Sequence, residues 1–210
     1  MISLAAALAR HRLRPLGTVS HDLPAPHQSL VLVGPDTGFW PHFQDSPEFR
    51  DSAPDPMDRW SRRVLTACAA MLDATAYFPF GGPPYRPFYS WALASGETFS
   101  SPVAFLVHAD LGLFTSFRGA LAFDQPLPKP TGRAHPCLAC TQPCTTACPV
   151  AALTPDGYDV DACKAYLDTE DGRDCRSKGC RVRRACPVGA ALRDPAQSAF
   201  HMAAFHPARR

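Results

Sequence analysis

The sequence predicts an α+β protein of two domains. A small α/β domain is expected over residues 1–125, a cysteine-rich domain over residues 137–210, and a linker over residues 126–136. Three observations support this division. Eight of the 9 cysteines follow residue 136, prolines concentrate just before it, and helical and strand patterns alternate in the first half. A chain of 210 residues is long enough for two such domains.

The first half begins with apolar residues at helical spacing over residues 2–14, which predict a short amphipathic helix. The prolines and glycine of residues 15–24 predict a loop. The β-branched run 29–34 predicts a buried strand. One apolar face over residues 57–76 predicts the clearest helix, and Cys68 lies on that face as a buried small hydrophobic residue with no ligand role.

Two later segments complete the predicted first domain. Residues 77–91 combine aromatic rings with prolines, which predicts a short strand followed by a rigid loop. The rings are interpreted as core or interface packing, with ligand binding as the alternative. Residues 103–108 and 113–123 predict the two strands of a hairpin.

Two cysteine runs define the second half, and each ends in Cys-Pro. The first is Cys137-Leu-Ala-Cys140-Thr-Gln-Pro-Cys144-Thr-Thr-Ala-Cys148-Pro149. The second follows a lone Cys163 and is Cys175-Arg-Ser-Lys-Gly-Cys180-Arg-Val-Arg-Arg-Ala-Cys186-Pro187. This layout resembles that of bacterial ferredoxins with two [4Fe-4S] clusters, in which the cysteine before proline binds the other cluster.

That rule predicts two sets of ligands. The first cluster would be held by Cys137, Cys140, Cys144 and Cys186, and the second by Cys148, Cys163, Cys175 and Cys180. The spacing departs from the bacterial pattern, because three residues separate Cys140 from Cys144 where two are usual. A helical segment over residues 161–167 is predicted as an insertion in the second motif.

Two alternatives accompany this interpretation. Zinc also accepts four thiolates in a tetrahedron, although zinc sites favour paired C-x-x-C knuckles over two Cys-Pro endings. A disulfide framework is disfavoured, because the apolar stretch 2–9 is short and has no basic residue ahead of it, so no signal peptide is predicted. The protein is therefore expected in the cytoplasm, where thiols stay reduced.

The remaining elements of the second half follow from local signals. Residues 149–153 match residues 187–192, and each stretch is predicted to begin a short helix after Cys-Pro. Residues 158–160 suit a brief strand. Asp194 and Pro195 predict the start of a final helix, as N-cap and first helical residue.

The charge of the chain limits its partners. The formal net charge is +2, and two clusters with their thiolates would each add about two negative charges, so the loaded protein is expected to be slightly acidic. This argues against a nucleic-acid partner. The basic residues Arg181, Arg183 and Arg184 are interpreted as compensation for cluster charge, with partner docking as the alternative. No apolar run is long enough to span a bilayer, so membrane insertion is not expected.

Residues 134–192 resemble the dicluster ferredoxin module of the epoxyqueuosine reductase and reductive dehalogenase group. There too a run of four cysteines is followed by a lone cysteine, in a segment like Cys163-Lys-Ala-Tyr166-Leu167, and then by a run of three that ends in Cys-Pro. Short bacterial proteins described simply as ferredoxins are similar along most of the chain. The resemblance implies two [4Fe-4S] clusters.

The first half is similar to the cobalamin-processing CblC family, whose fold is related to flavin nitroreductases. The likeness rests on residues 30–35, with Phe39 and Phe43, and on the segment His108-Ala-Asp-Leu-Gly112-Leu-Phe-Thr-Ser-Phe-Arg118-Gly119. The corresponding segment lines the corrinoid pocket in that family. The resemblance implies cobalamin or flavin binding by His108, Gly112, Arg118 and Gly119.

Three functions follow as hypotheses. The first is an iron–sulfur protein that passes single electrons through two [4Fe-4S] clusters to a redox partner protein. The second is a reductase whose first domain binds a corrinoid or flavin that the clusters reduce. The third is an interaction module that structural clusters hold together. The sequence assigns no catalytic residue.

Overall fold

The computed structural model describes residues 2–129 and 131–207. Met1 of the predicted first domain, Pro130 of the predicted linker and residues 208–210 of the predicted second domain lie outside the described residues. The described residues form a mixed α+β fold, as predicted, with small antiparallel sheets. None of the described helices has both the length and the apolar character that a bilayer-spanning helix requires.

The chain divides into two compact units. One unit comprises Met1–Thr98 and Ser116–Arg133, and the other comprises Phe99–Thr115 and Ala134–Arg210. The segment Phe99–Thr115, which the sequence places in the first domain, thus belongs with the cysteine-rich residues.

The first unit contains five helices and four complete strands among its described residues. The helices are α1 (Leu4–Ala9), α2 (Phe39–Gln44), α3 (Pro47–Arg50), α4 (Pro56–Leu72) and α5 (Phe88–Ala94). The strands are β1 (Leu13–Val19), β2 (Ser29–Pro35), β3 (Thr75–Tyr77) and β6 (Gly119–Phe123). They form one antiparallel sheet in the order β1-β2-β6-β3.

The strongest sequence patterns of the first unit are confirmed. Strand β2 is buried from Ser29 to Gly34, as its continuous apolar run predicts. Helix α4 buries Trp60, Val64 and Cys68 on the predicted face. It packs over β6 so closely that a Cβ on Gly119 would lie 2.5 Å from Leu65 Cδ1. Met71, near the end of α4, is 48% exposed and so is not part of the buried face of the helix.

The start of the chain differs from the prediction. Helix α1 ends at Ala9, and the residues predicted as helix end and loop form β1, which contains Pro15 and Gly17. Proline is tolerated because β1 is an edge strand, where an amide can be missing. The pairing register between β1 and β2 shifts between Pro15 and Thr18. Within this irregularity Gly17 takes φ +137°, and a Cβ on it would lie 2.6 Å from Ser95 Cβ.

The second unit is built from short elements. Its strands are β5 (Leu106–His108), β7 (Leu153–Thr154) and β8 (Gly157–Tyr158), together with β4 (Thr98–Ser100), which begins at the last residue of the first unit. Its helices are α6 (Val160–Leu167), α7 (Arg173–Lys178), α8 (Arg181–Ala185) and α9 (Pro195–Phe205), with 3-10 turns at Pro143–Thr146 and Ala190–Leu192.

Several predictions for the second unit are confirmed. The insertion helix is α6, and Asp194 caps α9 by accepting bonds from the amides of Ala196 (2.8 Å) and Gln197 (3.1 Å). The predicted Cys-Pro helices are only partly present, because a 3-10 turn follows Pro187 whereas residues after Pro149 turn into β7.

The predicted hairpin of residues 103–108 and 113–123 is wrong. Strand β5 pairs with β4, while β6 pairs with β2 and β3. After β5 the chain makes a tight turn, in which the amides of His108 and Gly112 donate to each other's carbonyls at 3.1 and 2.9 Å. The pairing between His108 and Gly112 is an isolated bridge, and the next strand, β6, begins at Gly119 in the other sheet.

Candidate metal centre

The first cysteine group, Cys137, Cys140, Cys144 and Cys186, lines one cavity of the second unit. Three of these cysteines come from one loop and the fourth from the end of α8, more than forty positions later. Apolar side chains, among them Val107, Leu113 and Val188, form much of the remaining wall. The structure therefore brings together all four residues that the sequence predicts as ligands of the first cluster.

Local hydrogen bonds shape the loop that carries three of these cysteines. The Cys137 amide donates to His135 Nδ1 (3.2 Å), and the Cys140 amide donates to the Cys137 carbonyl (3.4 Å). Gln142 takes φ +55° and its amide donates to Cys140 Sγ (3.3 Å). The loop therefore surrounds the cysteine sulfur atoms, and one of them, Cys140 Sγ, accepts a hydrogen bond from the backbone.

The turn after β5 contacts the first cysteine group directly. A Cβ on Gly112, whose φ is +57°, would lie 2.8 Å from Cys186 Sγ and would also clash with the Val188 carbonyl. Inside the turn, the Asp110 amide donates to His108 Nδ1 (3.0 Å). His108 and Gly112, two residues expected to contact a corrinoid, therefore lie in the turn beside these cysteines.

The second cysteine group, Cys148, Cys163, Cys175 and Cys180, is drawn from different elements. Cys163 lies in α6, Cys175 in α7, and Cys180 is the residue before α8. Burial raises the pKa of the Cys163 thiol, and the neighbouring Cys180, Cys148 and Cys175 raise it further. The Ala152 amide donates to Cys148 Sγ (3.3 Å).

The electrostatic neighbours of two cysteines agree with the predicted crossed groups. Burial raises the pKa of Cys137, and so do Cys144, Cys140 and Cys186, which are the three other members of its predicted set. Cys148, only four residues after Cys144, acts instead on Cys163. Cys186 shares a cavity with the first run, and Cys148 is an electrostatic neighbour of Cys163. Their role as ligands stays a prediction.

No three His, Cys, Asp or Glu side chains in the described residues are placed to hold a single metal ion. A zinc ion binds thiolates at about 2.3 Å, which brings the sulfurs within about 4 Å of one another. A [4Fe-4S] cube instead gives each thiolate its own iron and leaves the sulfurs farther apart. The zinc interpretation and the cluster interpretation both remain predictions.

Buried polar atoms beside the cysteines lack partners among the described residues. Ser101 lines the cavity of the first cysteine group, is 7% exposed, and its Oγ has no partner there. Arg193 Nε and Nη2 are also buried without a partner in the described part of the chain. These donors fit a site whose occupant carries negative charge and accepts hydrogen bonds, as a [4Fe-4S] cluster does.

At least one guanidinium group accompanies each cysteine group. The Arg193 guanidinium lies over the Phe114 ring (5.0 Å) and the Arg183 guanidinium over the Phe105 ring (5.1 Å). Burial lowers the pKa of both arginines, while Cys186 opposes this at Arg193 and Cys180 at Arg183. The basic patch predicted from the sequence includes Arg183 but not Arg193, because no motif marks Arg193.

Arg181 and Arg184 have a different environment from Arg183. Both donate to Asp174, which Lys178 also approaches at 3.3 Å, and these bonds lower the pKa of Asp174 to about 2. Two of the three arginines of the basic patch are therefore paired within the unit.

The residues expected to bind cobalamin or flavin are divided between the two units. His108 and Gly112 belong to the second unit, whereas Arg118 and Gly119 belong to the first. Arg118 Nη2 donates to Ser116 Oγ (2.8 Å), and its Nε is buried without a partner in the described residues. Burial lowers the pKa of Arg118, and Asp58 opposes this shift. Gly119 begins β6.

Cys68 is separate from both cysteine groups. It lies in α4 of the first unit, is fully buried, and its Sγ is 3.9 Å from the Ala7 carbonyl oxygen. Burial raises the pKa of its thiol. These observations agree with the packing role expected from the sequence.

Comparison with protein-family models, curated proteins and solved structures found no match to this chain. The resemblances drawn from the sequence motifs therefore stay predictions.

Proposed function

We propose that this chain is an iron–sulfur electron-transfer protein that passes single electrons through two [4Fe-4S] clusters to a redox partner protein. The observation that carries the proposal is the placement of Cys186 in one cavity with Cys137, Cys140 and Cys144. Crossed placement is the arrangement of a bacterial dicluster ferredoxin. On this proposal the second unit is a ferredoxin-like domain, and the CblC-like assignment of the first unit rests on sequence resemblance.

The charge balance of each cysteine group supports a positively charged metal core. Burial and the neighbouring thiols raise the pKa values of Cys137 and Cys163, so four thiolates would repel one another if nothing lay between them. Iron ions supply the positive charge that keeps all four deprotonated. The excess negative charge of such a cluster is then offset by Arg183 and Arg193.

Chain geometry holds the two cysteine groups close together. Cys144 and Cys148 belong to different groups but are four residues apart, so their Cα atoms lie within about 14 Å even on an extended chain. Cys180 and Cys186 flank α8, whose helical rise over six residues is about 9 Å. An electron that enters at one group therefore has a short path to the other.

When bound, the clusters would supply reversible one-electron chemistry. The chain's own residues would hold the sulfurs, donate to them from the amides of Gln142 and Ala152, and exclude water with apolar walls. These contacts would tune the reduction potentials.

Anaerobic purification with iron and acid-labile sulfide analysis tests the proposal. We expect about eight irons and eight sulfides per chain, and an electron paramagnetic resonance (EPR) spectrum of two [4Fe-4S] clusters after reduction. Stoichiometric zinc without sulfide after reconstitution would overturn the proposal. Clusters that cannot be reduced would favour a purely structural role.

A further inference from the structure

A tyrosine, a histidine and an aspartate of the first unit form a chain of two hydrogen bonds. His27 Nδ1 lies 2.6 Å from Asp124 Oδ1, and His27 Nε2 lies 3.0 Å from the Tyr77 hydroxyl oxygen. Tyr77 ends β3, Asp124 directly follows β6, and His27 lies two residues before β2. The proposed electron-transfer function leaves this arrangement unexplained.

Pairing within the sheet fixes the histidine end and the aspartate end of this chain. The Gln28 amide donates to the Phe123 carbonyl (2.8 Å), and Ser29 pairs with Phe123 in the register of β2 and β6. His27 and Asp124 therefore lie side by side at the ends of neighbouring strands. The His27 side chain is 8% exposed, whereas that of Asp124 is 69% exposed. A water-exposed carboxylate thus reaches a largely buried imidazole.

The two bonds assign the hydrogens of the His27 ring. A carboxylate only accepts hydrogen bonds, so Nδ1 carries the hydrogen that it donates to Asp124. In the neutral imidazole Nε2 then has a lone pair, and the Tyr77 hydroxyl donates to it. A protonated imidazole would keep the bond to Asp124, which orients the ring and stabilises its positive charge. His27 is therefore placed to receive the phenolic proton of Tyr77.

The ring of Tyr77 also has an oxidisable neighbour. Its centroid lies 6.0 Å from that of Trp91, and the two ring planes are tilted by 52°. Tyrosine and tryptophan are the aromatic side chains that lose one electron most readily. Trp91 is 2% exposed, and its Nε1 is buried without a hydrogen-bond partner in the described residues. An oxidised Trp91 would therefore have no base for its proton, whereas an oxidised Tyr77 has His27.

We propose that Tyr77 is a redox-active tyrosine, with His27 as its proton acceptor and Asp124 as the positioning residue behind His27. A one-electron oxidant of high potential, a radical or an oxidised metal complex, would take one electron from Tyr77. The phenolic O–H bond breaks as an N–H bond forms at His27 Nε2, which leaves a neutral tyrosyl radical and an imidazolium beside Asp124. Return of one electron and of the same proton restores the starting state. This site goes beyond the proposed function and does not depend on the clusters.

Photochemical oxidation of the full-length protein tests the assignment of Tyr77. A ruthenium(III) polypyridyl complex generated by a light flash is the oxidant, and EPR quantifies the tyrosyl radical. We expect the wild-type protein to form this radical and Tyr77→Phe to lose most of it. Tyr166→Phe is the matched control and should keep the wild-type yield, because the Tyr166 hydroxyl donates to the Asp171 carbonyl (2.9 Å), which is not a base.

The rate of radical formation tests the two partners of Tyr77. His27→Gln should slow it at least about tenfold, because a positioned base contributes about 10²–10⁴-fold. Asp124→Asn should slow it less, since an amide oxygen still accepts from Nδ1 but does not neutralise the imidazolium. His21→Gln, which removes a histidine paired with Asp22 at 3.4 Å, should keep the wild-type rate. A radical that survives Tyr77→Phe, or equal rates in the wild-type and His27→Gln proteins, would overturn the proposal.

Measurements on the wild-type protein cover a variant that fails to fold. Electron nuclear double resonance on protein whose histidines carry the heavy nitrogen isotope should detect a histidine nitrogen coupled to the radical. Radical formation should also be slower in D2O than in H2O, because the proton moves with the electron. A wild-type protein that forms no tyrosyl radical, or a radical without this coupling, would overturn the proposal.

Discussion

Gly112 is a position beside the first cysteine group where a side chain would not fit. Its positive φ and its contact with Cys186 Sγ both require the absence of a side chain. We expect Gly112→Ala to displace Cys186 and to lower the iron content of the purified protein, with selective loss of one cluster. The measurement is iron per chain together with the EPR spectrum of the reduced protein.

Gly132 provides the matched control for this prediction. A Cβ at Gly132 would meet no atom within 4 Å, so Gly132→Ala should retain the wild-type iron content. Equal iron in the Gly112 and Gly132 variants would contradict the role assigned to Gly112.

At the scale of elements, the crossed cysteine groups give a prediction that links distant parts of the chain. Cys186 directly follows α8 but lies beside Cys137. Cys186→Ala and Cys137→Ala should therefore lose the same cluster and leave matching EPR spectra. Cys148→Ala should match Cys163→Ala for the same reason. A spectrum of Cys186→Ala that matched Cys175→Ala instead would show that each run holds its own cluster.

A second element-scale prediction concerns the ion pair that joins α3 to α4. Arg63 donates to both carboxylate oxygens of Glu48, at 2.5 and 3.0 Å, and the Glu48 side chain is only 10% exposed. This bond holds the pKa of Glu48 below its usual 4.5, although burial opposes the shift. Because Arg63 is half exposed, we expect Glu48→Gln to cost about 1 kcal/mol of unfolding free energy at neutral pH.

The pH dependence of this contribution follows from the direction of the shift. Above pH 4.5 both the folded and unfolded carboxyl groups are ionised and the contribution is complete, and it is lost as the pH falls through the lower folded value. Denaturant unfolding followed by tryptophan fluorescence measures it, since Trp40, Trp60 and Trp91 all lie in the first unit. The exposed pair of Asp45 and Arg50 is the control, and Asp45→Asn should change stability by only a few tenths of a kcal/mol.

Helices and strands that depend only on residues nearby in the sequence could be predicted from it. The apolar run of β2, the amphipathic face of α4 and the Asp194 cap of α9 each depend on neighbours in the chain. Strand β1 could not be predicted, because its proline is acceptable only at a sheet edge. Likewise, β5 and β6 follow each other in sequence but pair in different sheets.

Some residues of the candidate site could likewise be predicted from the sequence, and others could not. Cysteine spacing predicts the composition of both groups, since ligand spacing follows from cluster geometry, and the four cysteines of the first group line one cavity. Ser101 lies far in sequence from every cysteine of the first group, and only folding brings it into their cavity. Arg193 follows Cys186 closely in sequence and is its electrostatic neighbour. Their residue types are common on protein surfaces, so nothing in the sequence distinguishes them.

At the scale of the whole molecule, the two units are stabilised differently. The first unit has a continuous core on a four-stranded sheet and α4. The core of the second unit includes ligand candidates themselves, because Cys144 and Cys186 are buried together with Val103, Val107, Leu113, Leu153 and Val182. Small domains of this kind usually need metals to remain folded.

If the second unit holds the proposed clusters, we expect their removal to unfold this unit while the first remains folded. Hydrogen–deuterium exchange with mass spectrometry on the full chain can resolve this, because peptides from residues 29–35 and 119–123 report on the first unit and peptides from 134–192 on the second. Treatment with an iron chelator under oxidising conditions should accelerate exchange across the second set and leave the first set protected.

The peptides that cover Phe99–Thr115 decide how far this dependence extends. This segment belongs to the second unit, and its turn contacts Cys186, so it should lose protection together with the cysteine-rich peptides. Exchange that stayed slow there after cluster removal would show that β5 and its turn are folded without the metal. Loss of protection in β2 and β6 to the same extent would contradict independent stability of the first unit. Because both sets of peptides come from one sample, neither outcome depends on comparing separately prepared fragments.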